Sequence, residues 1–122
     1  MTEESFLIVT QDRGVNVAEL SSRAQLIEEP ILEPLTKELL AAASASKPPV
    51  MLLDMSQTTF FGSGFLETLF RIWKTLQARP DANLSICGLH PYCREVLEIT
   101  HLDKMWPLYG TREEALAAMQ AK

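Results

Sequence analysis

The sequence predicts an α/β fold: a small mixed β-sheet of about five strands with about four helices packed on it. Three observations predict it. Short apolar, β-branched runs alternate along the chain with segments whose apolar residues recur at helical spacing. A central run, Val50 to Met55, is apolar except for Asp54, the mark of a parallel strand covered on both faces. A hairpin signature near the start adds an antiparallel pair, which makes the sheet mixed.

Each element has its own signal. Ser5 to Val9 reads as the first strand, Asp12-Arg13-Gly14 as a turn, and Val15 and Val17, alternating with polar neighbours, as the second strand. Leu32, Leu35, Leu39 and Leu40 predict a helix from Glu28 or Ile31 to Ala43, with Pro34 in its first turn, where a missing N–H is harmless. Ala43 to Pro49 is a loop. After the Val50–Met55 strand, Gly62-Ser63-Gly64 turns into a helix with one apolar stripe of Leu66, Leu69, Ile72, Trp73 and Leu76. Glu67 and Arg71, one helical turn apart, lie off that stripe. Pro80-Asp81 ends the helix, Leu84 to Cys87 is the next strand, and Pro91 opens a helix to about Thr100. Met105 to Tyr109 reads as a short edge strand marked by Pro107. Thr111 and Glu114 form a capping box for a last helix to about Ala121.

Composition narrows the function. The 122 residues suit one domain, 1–122, with no internal repeat or linker. Sixteen acidic against eleven basic residues give a net charge of -5, and residues 1–40 hold eight of the acids against three bases. Such a chain lacks the basic stripe that binds nucleic acid or an anionic membrane. No apolar run approaches the roughly 20 residues of a membrane span, and Met-Thr-Glu-Glu does not resemble a signal peptide. The expectation is a cytoplasmic protein in which Cys87 and Cys93 are reduced thiols.

Few residues suggest chemistry. Gly62-Ser63-Gly64 lies between strand and helix, as a nucleophile elbow does, but falls short of Gly-x-Ser-x-Gly, and His90 and His101 are the available bases. No phosphate-cradling glycine motif is present, and no cofactor is expected. Cys87, His90 and Cys93 have a ligand-like spacing without a fourth partner; as core thiols and a turn histidine they imply no metal. Asp54 ends a buried strand, either capping the next loop through backbone N–H groups or lining the serine turn as a loop carboxylate. Ser63 reads as a helix N-cap and, compatibly, as a phosphoacceptor at a helix start. Of Phe60, Phe61 and Phe65, either one faces outward as an interaction anchor or all three seal the sheet against the helix.

Taken in order, these residues resemble a family. Val50 to Ser56, Thr59-Phe60-Phe61, the serine turn with its helix, Val96 to Thr100, Leu102-Asp103-Lys104, Met105 to Tyr109 and Glu113 to Leu116 look like a STAS domain of the anti-sigma factor antagonist kind. The resemblance covers roughly residues 50 to 120 well and the first third only by element order. It implies a protein-binding module of a partner-switching pathway with no reaction of its own. The implied partner is an anti-sigma factor or related serine kinase-like protein, and the implied phosphoacceptor is Ser63. The docking face it implies comprises Gly62, Ser63, Gly64 and Phe65 with Glu67, Thr68 and Arg71 on the helix. The family turn reads Asp-Ser-Ser/Thr-Gly; here those places hold Gly62, Ser63, Gly64 and Phe65, so only the phosphoserine place is retained. The two glycines leave room for a differently built turn. His101 stands where the family has a glycine after a helix, a position for a left-handed cap. The alternatives are a STAS scaffold that has lost phosphorylation and a small hydrolase using Ser63.

Overall fold

The structure, a computed structural model, describes residues 5–120. Strands β1 (Leu7–Asp12) and β2 (Val15–Leu20) form the opening hairpin, followed by a one-turn 3-10 helix and the two-residue strand β3 (Leu26–Ile27). Then come α1 (Glu29–Ala45), β4 (Val50–Asp54), β5 (Phe60–Phe61), α2 (Gly64–Gln77) and β6 (Asn83–Cys87). The chain continues through α3 (Pro91–Ile99), a second 3-10 turn, β7 (Leu108–Tyr109) and α4 (Arg112–Gln120). The predicted helix end at Ala121 lies outside the described residues.

Five strands make one mixed sheet in the order β1-β2-β4-β6-β7, antiparallel only between β1 and β2. Alternation along the strands divides the core in two. Met51, Leu53 and Ile86 face α1, α2 and α3, where Leu35, Leu39, Phe65, Leu69, Ile72 and Leu97 are buried. Val15, Val17, Leu52 and Cys87 face α4 through Ala115, Leu116 and Met119. The apolar runs of β4 and β6 are therefore those of strands covered on both sides.

The expected fold class holds, with local corrections. The first strand starts at Leu7 and runs on to Asp12, because its pairing with β2 carries it to the Arg13-Gly14 turn. Helix α1 begins earlier than Pro34 requires: Pro30 takes the first-turn place and Pro34 lies inside the helix, forgoing one bond toward the Pro30 carbonyl. The Met105–Tyr109 strand shrinks to Leu108–Tyr109, since the Met105 and Trp106 N–H groups donate to the Leu102 carbonyl (2.9 and 3.0 Å) and hold the chain in a turn. The capping box is half built: Thr111 Oγ1 accepts the Glu114 N–H at 3.1 Å, while Glu114 accepts from Gly110 instead. His101 takes the left-handed conformation expected of it, with φ 64°.

An additional two-stranded parallel ladder pairs β3 with β5, Leu26 opposite Phe60 and Ile27 opposite Phe61. This small ladder sets the position of the serine turn.

Candidate functional site

The serine turn hangs between two anchors. Upstream, Thr59 N–H donates to the Gln25 carbonyl at 2.9 Å and Gly62 N–H to the Ile27 carbonyl at 3.1 Å, which fixes the chain entering the turn. Downstream, Phe65 is buried and meets Phe61 at 5.2 Å between ring centroids, which pins the first turn of α2 to the core. Ser63 sits between them, exposed.

Among the described residues its hydroxyl has no hydrogen-bond partner. Ser63 has helical angles (φ -62°, ψ -25°) and its side chain makes no capping bond, which corrects the N-cap reading. An N-cap hydroxyl reaches the N–H groups of the first turn only from an extended backbone, which Ser63 does not have. The glycines with positive φ are Gly14 and Gly88, so neither Gly62 nor Gly64 uses the angles that only glycine allows. A Cβ on Gly62 would meet only the Ile27 carbonyl oxygen, at 4.0 Å.

Of the residues expected on the docking face, Gly62, Ser63, Gly64, Glu67 and Arg71 lie at or near the surface around the start of α2, Phe65 does not, and Thr68 is buried at the floor of a groove. Phe65 points into the core at 1% exposure. Thr68 is buried, its Oγ1 2.8 Å from Thr36 Oγ1 on α1. That hydroxyl pair lies in a groove of about 340 Å³ between α1 and α2. Gly64, Glu67 and Arg71 line one wall of the groove, and Glu29, Glu33 and Lys37 of α1 line the other. Sequence reasoning named the α2 wall and missed the α1 wall. The available signal was the spacing of Glu29, Glu33 and Lys37, each four residues from the next and off the Leu35–Leu39 stripe.

Asp54 caps the loop after β4, as one of its two readings held: Oδ1 accepts the Ser56 N–H at 3.0 Å. Its other oxygen takes the Arg112 guanidinium, at 3.1 Å from Nε and 2.9 Å from Nη2. The same Nη2 reaches Glu19 at 2.9 Å, so Arg112 ties α4 to β2 and β4. Burial works against the Arg112 charge, but the hydrogen bonds and charges of Asp54 and Glu19 prevail and raise its pKa.

The residues that suggested other chemistry do not converge. Cys87 belongs to the α4 side of the sheet and Cys93 to the opposite side. The His90 Nε2 lies 3.2 Å from the Ser56 carbonyl oxygen, and neither histidine bonds Ser63 among the described residues. Burial pushes the Cys87 thiol up to about 12, with the nearby Asp54 charge adding to it, and burial pushes Cys93 up to about 11. Of the three phenylalanines, Phe61 is buried like Phe65, while Phe60 is half-buried and stacks on the exposed Tyr92 at 5.4 Å.

Comparison with known proteins agrees with this geometry. The STAS domain model matches residues 21–115. BtrV of Bordetella bronchiseptica, named as an anti-sigma factor antagonist, is 31% identical over 88 residues, 72% of this chain and 74% of BtrV. An anti-sigma-factor antagonist (STAS) domain protein from Planctomyces limnophilus superposes with a TM-score of 0.86 at 36% identity, over 96% of this chain and 99% of the other. An anti-sigma factor antagonist from Mycobacterium paratuberculosis superposes with a TM-score of 0.78 at 28% identity, over 92% and 91% of the two chains.

Proposed function

The chain belongs to the STAS domain family, and from that premise we propose that it is an anti-sigma factor antagonist that works by binding a serine kinase-like anti-sigma factor in the cytoplasm. The relatives named as antagonists support the class of activity. The observation that supports the assignment of the switch residue is the place of Ser63 immediately before α2, exposed and, among the described residues, without a side-chain hydrogen bond; other exposed serines such as Ser44 and Ser56 do not precede a helix. No reaction of the chain's own is needed.

The switch is electrostatic. Phosphorylation adds close to two negative charges. The N-terminus of α2 tolerates them in the free chain, where water and backbone N–H groups solvate the phosphate. A partner seated over the turn would bury that charge next to Glu67, which stands in the first turn of α2. Burying it without a cation costs several kcal/mol, and about 4 kcal/mol is a thousandfold in affinity.

The experiment is a crosslinked affinity purification of the full chain from its native cells, with mass spectrometry reading partners and Ser63 modification together. A kinase-like anti-sigma factor with phosphate on Ser63 is the expected result. Binding should survive Ser63→Ala and fail with Ser63→Asp. A reproducible partner with no Ser63 phosphate under any condition, stress included, would instead indicate a constitutive scaffold, a reading that Gly62 in the family's acidic place favours.

A further inference from the structure

The groove between α1 and α2 has a direction. Both helices connect parallel strands of one sheet on one of its faces, so they run the same way. Their alignment follows from two contacts, Gly64 against Leu32 and Thr68 against Thr36, each one helical turn from the other. At that alignment Glu29, Glu33 and Glu67 stand at the end nearer Ser63, and Lys37 and Arg71 stand further along. The span from Glu29 to the level of Arg71 is about 15 Å at 1.5 Å per residue, three helical turns.

These five charges are uncommitted. All are exposed, and none makes an ion pair or a side-chain hydrogen bond among the described residues. Glu67 and Arg71 do not pair despite their spacing. Elsewhere on the surface Arg13, Arg94 and Arg112 each hold a carboxylate. Charges this exposed hold a small zwitterion weakly, because water competes at every contact. A protein segment that covers the groove displaces that water along its whole length.

We propose that this groove is the second half of the partner-binding surface and fixes the partner's orientation. Its occupant is a segment of the anti-sigma factor with basic residues over Glu29, Glu33 and Glu67 and acidic residues over Lys37 and Arg71. The inference rests on the antagonist reading, and it adds α1 to a surface otherwise confined to the serine turn and α2.

The test uses the anti-sigma factor that co-purifies with the full chain. The double variant E33K/K37E keeps the net charge and reverses two of the three charges on the α1 wall, Glu29 staying as it is. Its affinity is expected to fall at least about tenfold, mostly through slower association, with a weaker dependence on salt than the wild type. Amides of α1 over residues 29–40 are expected to gain hydrogen-exchange protection in the wild-type complex. If E33K/K37E loses cooperative unfolding, the single variants E33K and K37E and the exchange pattern decide instead. Unchanged affinity and no protection on α1, in a complex that Ser63→Asp still breaks, would overturn the groove and leave the antagonist reading standing. A chain that captures no anti-sigma factor would overturn both.

Discussion

By the resemblance, Gly62 and Gly64 stand where the family turn has an acid and a hydroxyl, and at neither place does backbone freedom explain the glycine. At Gly62 a side chain has room, so Gly62→Asp should change the unfolding free energy by less than about 1 kcal/mol in urea titrations. If the missing acid is what limits the kinase, the same variant should be phosphorylated faster. At Gly64 a Cβ would come within 2.9 Å of the Leu32 Cδ2. A leucine methyl can rotate away, so Gly64→Ala should also cost under about 1 kcal/mol, helped by the better helix propensity of alanine, while narrowing the groove. Gly88 differs: φ is +75° and a Cβ would press on the Ser56 backbone at 3.1 Å. Gly88→Ala should therefore cost about 2 kcal/mol or more. The buried thiols add a pH test. Their pKa values in the fold, about 12 and about 11, lie above the ordinary 9.0, so their contribution is present below pH 9 and is lost as pH rises toward 12. Stability should fall more steeply over pH 9–12 in the wild type than in a Cys87→Ala/Cys93→Ala variant, and iodoacetamide at pH 8 should label neither thiol until the chain unfolds.

At the scale of elements, legibility followed periodicity. The α2 stripe and the β4 and β6 runs announced themselves, because a buried face repeated over several turns or residues leaves a pattern. The β3-β5 ladder left none: two residues per strand are too short for any period, and its partners are brought together only by the rest of the fold. The Asp54 loop cap was legible because its acceptor and donor are two residues apart. The Arg112 clamp was not, since Arg112 and Asp54 are 58 positions apart. Replacing Arg112 by alanine would strand the buried Asp54 carboxylate with the Ser56 N–H as its remaining bond. A loss of about 2 kcal/mol is expected, the partial exposure of Arg112 keeping it below the cost of fully buried pairs. A smaller loss in Arg112→Lys would show that charge matters there more than the fork geometry.

At the scale of the whole molecule, the acidic first third of the sequence resolves into separate duties. Glu38 receives the Ser5 hydroxyl and the Phe6 and Leu7 amides at the start of β1. Glu19 holds Arg112. Glu29 and Glu33 are left for the groove beside Ser63. Composition showed the charge excess, but only the packing of the elements shows which acids bond within the fold and which stand unpaired among the described residues. The same packing buries Thr68 and the core buries Phe65, so two residues expected on the docking face lie below the surface. The described residues contain no helix long and apolar enough to cross a membrane. An exposed serine at the start of α2 suits a switch whose states differ in charge rather than in shape. The most direct test is the affinity of the co-purified anti-sigma factor for the unmodified chain and for the chain stoichiometrically phosphorylated on Ser63, measured calorimetrically under identical salt. The account expects the phosphorylated form to bind about a thousandfold more weakly. Equal affinities within a factor of two would contradict it.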